Sequence, residues 1–258
     1  MKNEGWRRFI LFFNYKDKWG IDMKKIYEIG IDKTGVFIDR PNRFIGNIKV
    51  EDDVIKCHIH DSGRIKELLY FGNKVGLKKA KNKAKRKTEW DLICAKTPEK
   101  DEDILLNSAY HRYISEKFLK DPEISPFGKI DKLRAEVKNG DSRLDYLLMK
   151  GEEKIWVEVK GVSLVVDKIA MFPDAPSVRA QKHLKELMSL KEKGDRAAVL
   201  LLVFRKADKF RPRHETDINF SELFYEAKKK GVEIYPIQFE LKDGDIYYID
   251  NKIEIIEE

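Results

Sequence analysis

Apolar residues follow two different rhythms along this chain, and the change of rhythm divides it. From about residue 26 to 95, the short alternating runs "GVFIDR", "RFIGNIKV", "VIKCHIH", "NKVGLKKA" and "TEWDLICAK" are broken by turn residues. Strands recurring at roughly 8 to 12 residue spacing predict a small all-β module, an OB-like barrel or an SH3-like one, which read alike at this level. Residues 96–103, "KTPEKDED", carry charge and a proline without any large apolar side chain, the composition of a linker.

Beyond the linker the period lengthens. "LLNSAYHRYISEKFLKD" has apolar residues at helical spacing, and "LRAEVKNG", "RLDYLLMK" and "KIWVEVKG" follow as three strands with turns at Asn139-Gly140 and Gly151. "SVRAQKHLKELMSLKEKG" predicts a helix capped by Ser177 and stopped by Gly194. The unbroken apolar centre of "RAAVLLLVFR" suits a strand buried on both faces. A helix, "NFSELFYEAKKKG", and a strand, "VEIYPIQFEL", come next, and "GDIYYIDNKIEIIEE" alternates like a terminal strand pair. The order α-β-β-β-α-β-α-β predicts a mixed sheet flanked by helices. The expected division is a leader over 1–22, a barrel domain over 23–99 and an α/β (α+β) domain over 100–258, with Met23 an alternative start.

Composition adds a folded, basic protein. Hydrophobic residues make up 42% of 258, and 52 Lys and Arg against 45 Asp and Glu leave a net charge of +7, which favours a polyanionic partner such as nucleic acid. Two cysteines, Cys57 and Cys94, form no CxxC pair, so neither a disulfide framework nor a zinc ribbon is indicated and a reducing cytoplasm is expected. "FILFF" at 9–13 is too short for a membrane span or a signal-peptide core. "CHIH" at 57–60 lacks a second ligand pair and reads as a strand with exposed histidines. A homo-oligomer is left open.

The chemistry sits inside the strands. Through "KIWVEVK" the alternation puts Ile155, Val157 and Val159 on one face and Trp156, Glu158 and Lys160 on the other. A hairpin about Gly151 brings Asp145 back toward Glu158. Two carboxylates, the Val159 carbonyl and a lysine then suit Mg²⁺ or Mn²⁺, hard ions that take oxygen ligands and keep several waters. Lys160 would hold the attacking water or stabilise charge on a phosphodiester. An arbitrary Asp, Glu and Lys in strands more often make a cross-strand ion pair.

Asp145, twelve residues and then Glu158-Val159-Lys160 match the D-x(n)-(D/E)-x-K core of restriction-endonuclease-like nucleases. With "SRLDYLL", "WVEVKGVSL", "MFPDAPSVRAQKHLKELMSL", "RAAVLLLVFRKADKFRP" and "GVEIYP", the chain resembles the sugar fermentation stimulation protein A family. "NRFIGNIKV", "CHIHDSGRIKELL", "RKTEWDLI" and "ILLNSAYHRYISEKFL" resemble that family's N-terminal module, so the likeness covers roughly residues 40 to 240. Ser62, where a proline is frequent, and the two ends of the chain depart from it. The resemblance implies an OB-like N-terminal domain, a nuclease-like C-terminal domain, DNA binding and a link to sugar metabolism. The alternative to a nuclease is a non-catalytic, sequence-nonspecific DNA-binding regulator.

Carried over by position, the resemblance makes Asp145, Glu158, Lys160 and Gln181 the catalytic candidates and Asp145, Glu158 and Val159 the metal ligands, with Glu136 and, more weakly, Glu116 as extra acids. Lys182 is a nucleic-acid candidate on the Gln181 helix, and His183 reads equally as a partly buried ring. "KKAKNKAKRK" at 78–87 holds seven basic residues in ten, enough to neutralise several phosphates with little base specificity. Lys85, Arg86 and Lys87 are its candidate DNA contacts, joined by Arg64 at a turn and by Trp90, with Phe44 another stacking surface although core packing is the commoner role.

Overall fold

The computed structural model describes residues 15–16, 22–61, 63, 65–81, 86–98, 102–140, 142–250 and 252–257. Two short N-terminal strands, β1 (Tyr15–Lys16) and β2 (Asp22–Glu28), precede the barrel strands β3 (Lys33–Asn42), β4 (Ile45–Val50), β5 (Asp53–His58), β6 (Lys74–Lys79) and β7 (Trp90–Lys96). These five coincide with the five alternating runs. They pair in the order β5-β4-β3-β6-β7, and parallel pairing of β5 with β7 at Cys57↔Trp90 closes the barrel. Closure removes free edges, and the inward residues Phe37, Ile48, Cys57, Leu77 and Leu92 fill the interior.

The segment expected to be a linker differs. Asp103–Leu105 forms β8, paired antiparallel with β7 on one side and, at Leu241↔Asp103, with the C-terminal half on the other. Only three residues long, it leaves no alternation to detect. The apolar residues 104–106 belong to this strand and its exit rather than to the helix, which begins after Asn107 caps a short 3-10 turn and runs as α1 (His111–Lys120).

The second half contains β9 (Lys132–Asn139), β10 (Ser142–Lys150), β11 (Glu153–Val162), β12 (Leu164–Val166), β13 (Ile169–Phe172), α2 (Val178–Glu192), β14 (Arg196–Val203), β15 (Lys209–Pro212), α3 (Ile218–Lys229), β16 (Glu233–Lys242), β17 (Asp245–Asp250) and β18 (Glu254–Ile255). Its main sheet runs β16-β14-β11-β10-β9, with β14 parallel to both neighbours and the β9-β10-β11 meander antiparallel. Gly140 and Gly151 take left-handed φ of +56° and +59° in the two hairpin turns. Leu184, Leu187 and Met188 of α2 and Phe220 and Phe224 of α3 cover one face. Ile114, Phe118 and Leu119 of α1 cover the other, in a core continuous with the barrel interior.

Two features lay outside the sequence pattern. A second sheet, β12-β13-β15-β18, is made of strands of two to four residues. Its first turn places Asp167 and Lys168 at φ 49° and 63°, a conformation ordinarily signalled by Asn-Gly. The C-terminal residues therefore do not form the expected strand pair: β17 pairs with β16 and β2, and β18 joins β15. Since β2 completes the C-terminal half's sheet, residues 22–28 extend that half, although the expected division put 23–28 with the barrel.

Because one core spans the barrel and the sheet, the described residues are expected to unfold in a single denaturant transition. Leu105, 2% exposed on the shared strand, should lose about 2 to 5 kcal/mol on Leu105→Ala without splitting that transition, as read by circular dichroism and tryptophan fluorescence together.

Candidate metal and phosphodiester site

The site grows from the β10–β11 hairpin. Its ladder runs from Lys150↔Glu153 to Tyr146↔Val157. Leu147 and Trp156, paired across it, both pack under α2. Two residues on from each, Asp145 and Glu158 project from that same face. The ladder stops there, and the Asp145 carboxylate takes over its role: Oδ2 accepts the Val159 N–H at 2.7 Å. The amide and carbonyl of one residue in an extended strand point to the same side, so the Val159 carbonyl faces Asp145 as well.

Glu158 is 2% exposed. Its Oε1 accepts from Lys160 Nζ at 2.5 Å and is hydrogen-bonded to Nδ1 of His183. Its Oε2 is buried with no hydrogen-bond partner among the described residues. Burial raises the pKa of Glu158, but the His183 hydrogen bond and the Lys160 charge outweigh it and hold the carboxyl below its ordinary range. Asp145 goes the other way. Burial first and the Glu158 charge second push it up to about 6, against the Val159 amide and Lys160, which lower it. Two acids on adjacent strands are thus driven apart in proton affinity.

The other candidates fall in different places. Gln181 is not gathered on Glu158: its amide donates to both oxygens of Asp217, at 2.9 and 3.1 Å. Residues two apart on a helix look in different directions, and the residue of α2 that faces the sheet is His183, 4% exposed, on the buried stripe of Ala180, Leu184, Leu187 and Met188. That stripe was the signal for His183. Asp217 has the residue type and place of an N-cap for α3, but its contacts with Ser177 and Gln181, 36 to 40 residues away in sequence, leave no local mark. It is 6% exposed, caps α3 through Phe220 N–H at 3.0 Å and also accepts the Ser177 amide at 2.8 Å, tying the starts of α2 and α3 together. Lys182 is exposed. Glu136, at φ 56°, lies close enough to raise the Asp145 pKa slightly and sits 3.7 Å from Arg143. Glu116 pairs with Lys120 at 2.6 Å on α1, across the sheet from Glu158. Behind Lys160, Gly161 is required, since a Cβ there would run into the His111 imidazole.

On the barrel, Arg64 and Lys85 lie outside the described residues. Arg86 donates to Asp91 through both terminal nitrogens, one at 3.1 Å, and Asp91 also meets His60 Nε2 at 3.2 Å. Burial alone would raise Asp91, but these two partners bring it down to about 2. Arg86 is therefore already engaged by a carboxylate, a pairing across five residues that a count of basic residues could not show. Lys87 is exposed. Trp90 is half-buried against the barrel core, with the ammonium groups of Lys33 and Lys79 5.5 and 6.0 Å from its ring.

A closed five-stranded barrel leading into a helix-flanked mixed sheet defines a two-module α/β protein. Residues 38–105 match the SfsA N-terminal OB domain and residues 109–245 the sugar fermentation stimulation protein RE domain, the break falling just after β8. The chain belongs to the sugar fermentation stimulation protein family. Homologs in Thermosipho melanesiensis and Methanococcoides burtonii are 42% and 40% identical, over 88% and 86% of this chain and 96% and 92% of theirs. The structure of Pyrococcus furiosus SfsA in complex with Ca²⁺ superposes with a TM-score of 0.79 at 30% identity, covering 90% of this chain and 99% of that one. Among the described residues no helix is long and apolar enough to cross a membrane.

The raised pKa of Asp145 has a stability consequence. Its folded value, about 6, exceeds the ordinary carboxyl value of 3.8, so ionising it costs folding free energy that builds up as pH rises between the two values and is complete above 6. Asp145→Asn keeps an acceptor for the Val159 amide and removes the charge. It should stabilise the metal-free protein by about 3 kcal/mol at pH 8 and by almost nothing at pH 4, as read by denaturant melts.

Proposed function

We propose that this protein is a cytoplasmic, divalent-metal-dependent phosphodiesterase acting on DNA. The observation that supports this best is the Glu158 Oε2 atom, a buried carboxylate oxygen with no hydrogen-bond partner among the described residues, beside a second carboxylate held on the neighbouring strand. Leaving such an oxygen unmatched is costly unless something cationic meets it. Asp145, Glu158 and the Val159 carbonyl form an all-oxygen donor set that fits a hard ion such as Mg²⁺ or Mn²⁺. The Pyrococcus furiosus relative is a complex with Ca²⁺, another hard, oxygen-seeking ion. Among the described residues no three acidic, histidine or cysteine side chains cluster, so the two carboxylates and the Val159 carbonyl are the whole protein donor set offered to the ion.

When bound, such an ion supplies Lewis-acid polarisation of the phosphodiester and a more acidic water. The chain's own residues do the rest. His183 holds Glu158 Oε1 and so leaves Oε2 available to the ion. Lys160, 16% exposed, lies at the opening of the site and is placed to orient a water and to balance negative charge on the phosphate. The net charge of +7 and the basic run at 78–87 supply attraction to the phosphate backbone that is independent of sequence.

Cleavage of a labelled DNA fragment in Mg²⁺ or Mn²⁺ tests the proposal. Asp145→Asn, Glu158→Gln and Lys160→Ala should each lower the rate by about a hundredfold or more while DNA binding persists. A wild-type protein that binds DNA but cleaves it with neither ion overturns the catalytic reading in favour of a non-catalytic DNA-binding regulator of sugar metabolism.

The two neighbouring cations of the basic run should separate in a binding titration. Lys87→Ala is expected to lower the slope of log affinity against log salt by about one. Arg86→Ala should leave that slope nearly unchanged and lower the melting temperature, because it strands Asp91.

A further inference from the structure

Between the barrel and the sheet lies a cavity of about 740 Å³ with no part in the roles above. Its walls come from the end of β3, which carries Arg40, from Arg43 in the turn to β4, from Asp61, Gly63 and Lys66 beyond β5, and from residues 172–177 leading into α2. Arg40 frames it by donating to the carbonyls of Gly63 at 2.6 Å, Arg43 at 2.5 Å and Asp61 at 2.7 Å, which fastens one wall to the next. The Asp61 carboxylate is engaged as well, accepting the Gly63 amide at 2.7 Å. Arg43 and Lys66 are different. Both are exposed on the rim, and neither side chain has a hydrogen bond or ion pair among the described residues. One residue on from Arg43, Phe44 leaves 49% of its surface exposed, nearly parallel to the His58 ring at 6.1 Å.

Position and size narrow what this cavity can take. Ser177 on its wall caps α2, and His183, which touches Glu158, lies six residues along that helix, about 9 Å at 1.5 Å per residue. A strand with stacked bases covers that length in about three nucleotides at roughly 3.4 Å each. A volume of 740 Å³ equals a cube about 9 Å on a side, too small for a duplex whose major groove alone is about 12 Å wide. Free cations on the rim and an exposed aromatic ring are the two components with which proteins hold single strands.

We infer that the cavity holds an unpaired strand of nucleic acid beside the cleavage site, with phosphates on Arg43 and Lys66 and a base stacked on Phe44. This rests on the phosphodiesterase reading and adds to it the strand state of the substrate: single strands, frayed ends or flaps rather than intact duplex. Asp174 on the opposite wall repels phosphate, which favours the Arg43–Lys66 side.

Binding measured without divalent ions, where no turnover occurs, isolates the inference from the catalytic one. The probes are a fluorescent oligothymidylate of about ten nucleotides and a blunt, GC-clamped duplex of about twenty base pairs, read by anisotropy with the full chain. The Arg43→Ala, Lys66→Ala double variant should bind the single strand about tenfold more weakly and Phe44→Ala about fivefold, with duplex affinity held within about twofold. All three side chains are exposed, so the melting temperature should not move. Single-strand affinity within about twofold of wild type in both variants, equal weakening of strand and duplex, or a wild type that does not bind the strand overturns the inference. Loss of cleavage by the wild type overturns the catalytic proposal alone and leaves these affinities readable.

Discussion

A carboxylate removed from water in the middle of a sheet governs the organisation of the second half of this protein. Glu158 is tolerated on β11 because Lys160 from its own strand and His183 from α2 converge on one of its oxygens. Withdrawing water from such an ion costs several kcal/mol, and taking away one partner would leave a buried charge uncompensated at about 3 to 5 kcal/mol. Much of the surrounding architecture keeps those partners in place. Strand β11 is paired along both edges, α2 lies across it, and Asp217 anchors the first turn of α2 to that of α3.

The same interaction divides the labour between the two acids. With Oε1 of Glu158 committed to nitrogen donors, Oε2 has no hydrogen-bond partner among the described residues, while Asp145 is held by the Val159 amide at the end of its ladder. The two carboxylates differ because their surroundings differ: one sits among hydrogen-bond donors and cations, the other mainly against apolar bulk and a like charge. A pair of this kind is a poor contributor to stability and a good place for chemistry.

How much of this was legible follows from the length scale of each signal. Strands of six to ten residues showed in their alternation, and the meander could be placed because glycine marked its turns, so counting back from Gly151 set Asp145 opposite Glu158. Strands β8, β12, β13, β15 and β18, of two to four residues, are too short for a period to register, and the Asp167-Lys168 turn lacks the usual residue pair. Within the site, Glu158 and Lys160 follow from alternation along β11, and Asp145 from the hairpin that sets β10 beside it. That Gln181 meets Asp217 rather than Glu158 could not be read because neighbours in a motif are not neighbours on a helix face, nor could the Arg86 pairing, whose partner Asp91 lies on a strand beyond the basic run. Contacts made through tertiary folding leave no imprint on the local pattern unless they also fix a periodic position, as His183 does.

The three-residue strand β8 has a mechanical implication. It pairs with the barrel strand β7 over its three residues and with β16 at Leu241↔Asp103, so the barrel and the sheet share a backbone ladder as well as a core. Two bodies joined in this way resist a change in their separation, so stiffness as well as shape is built into the seam between them.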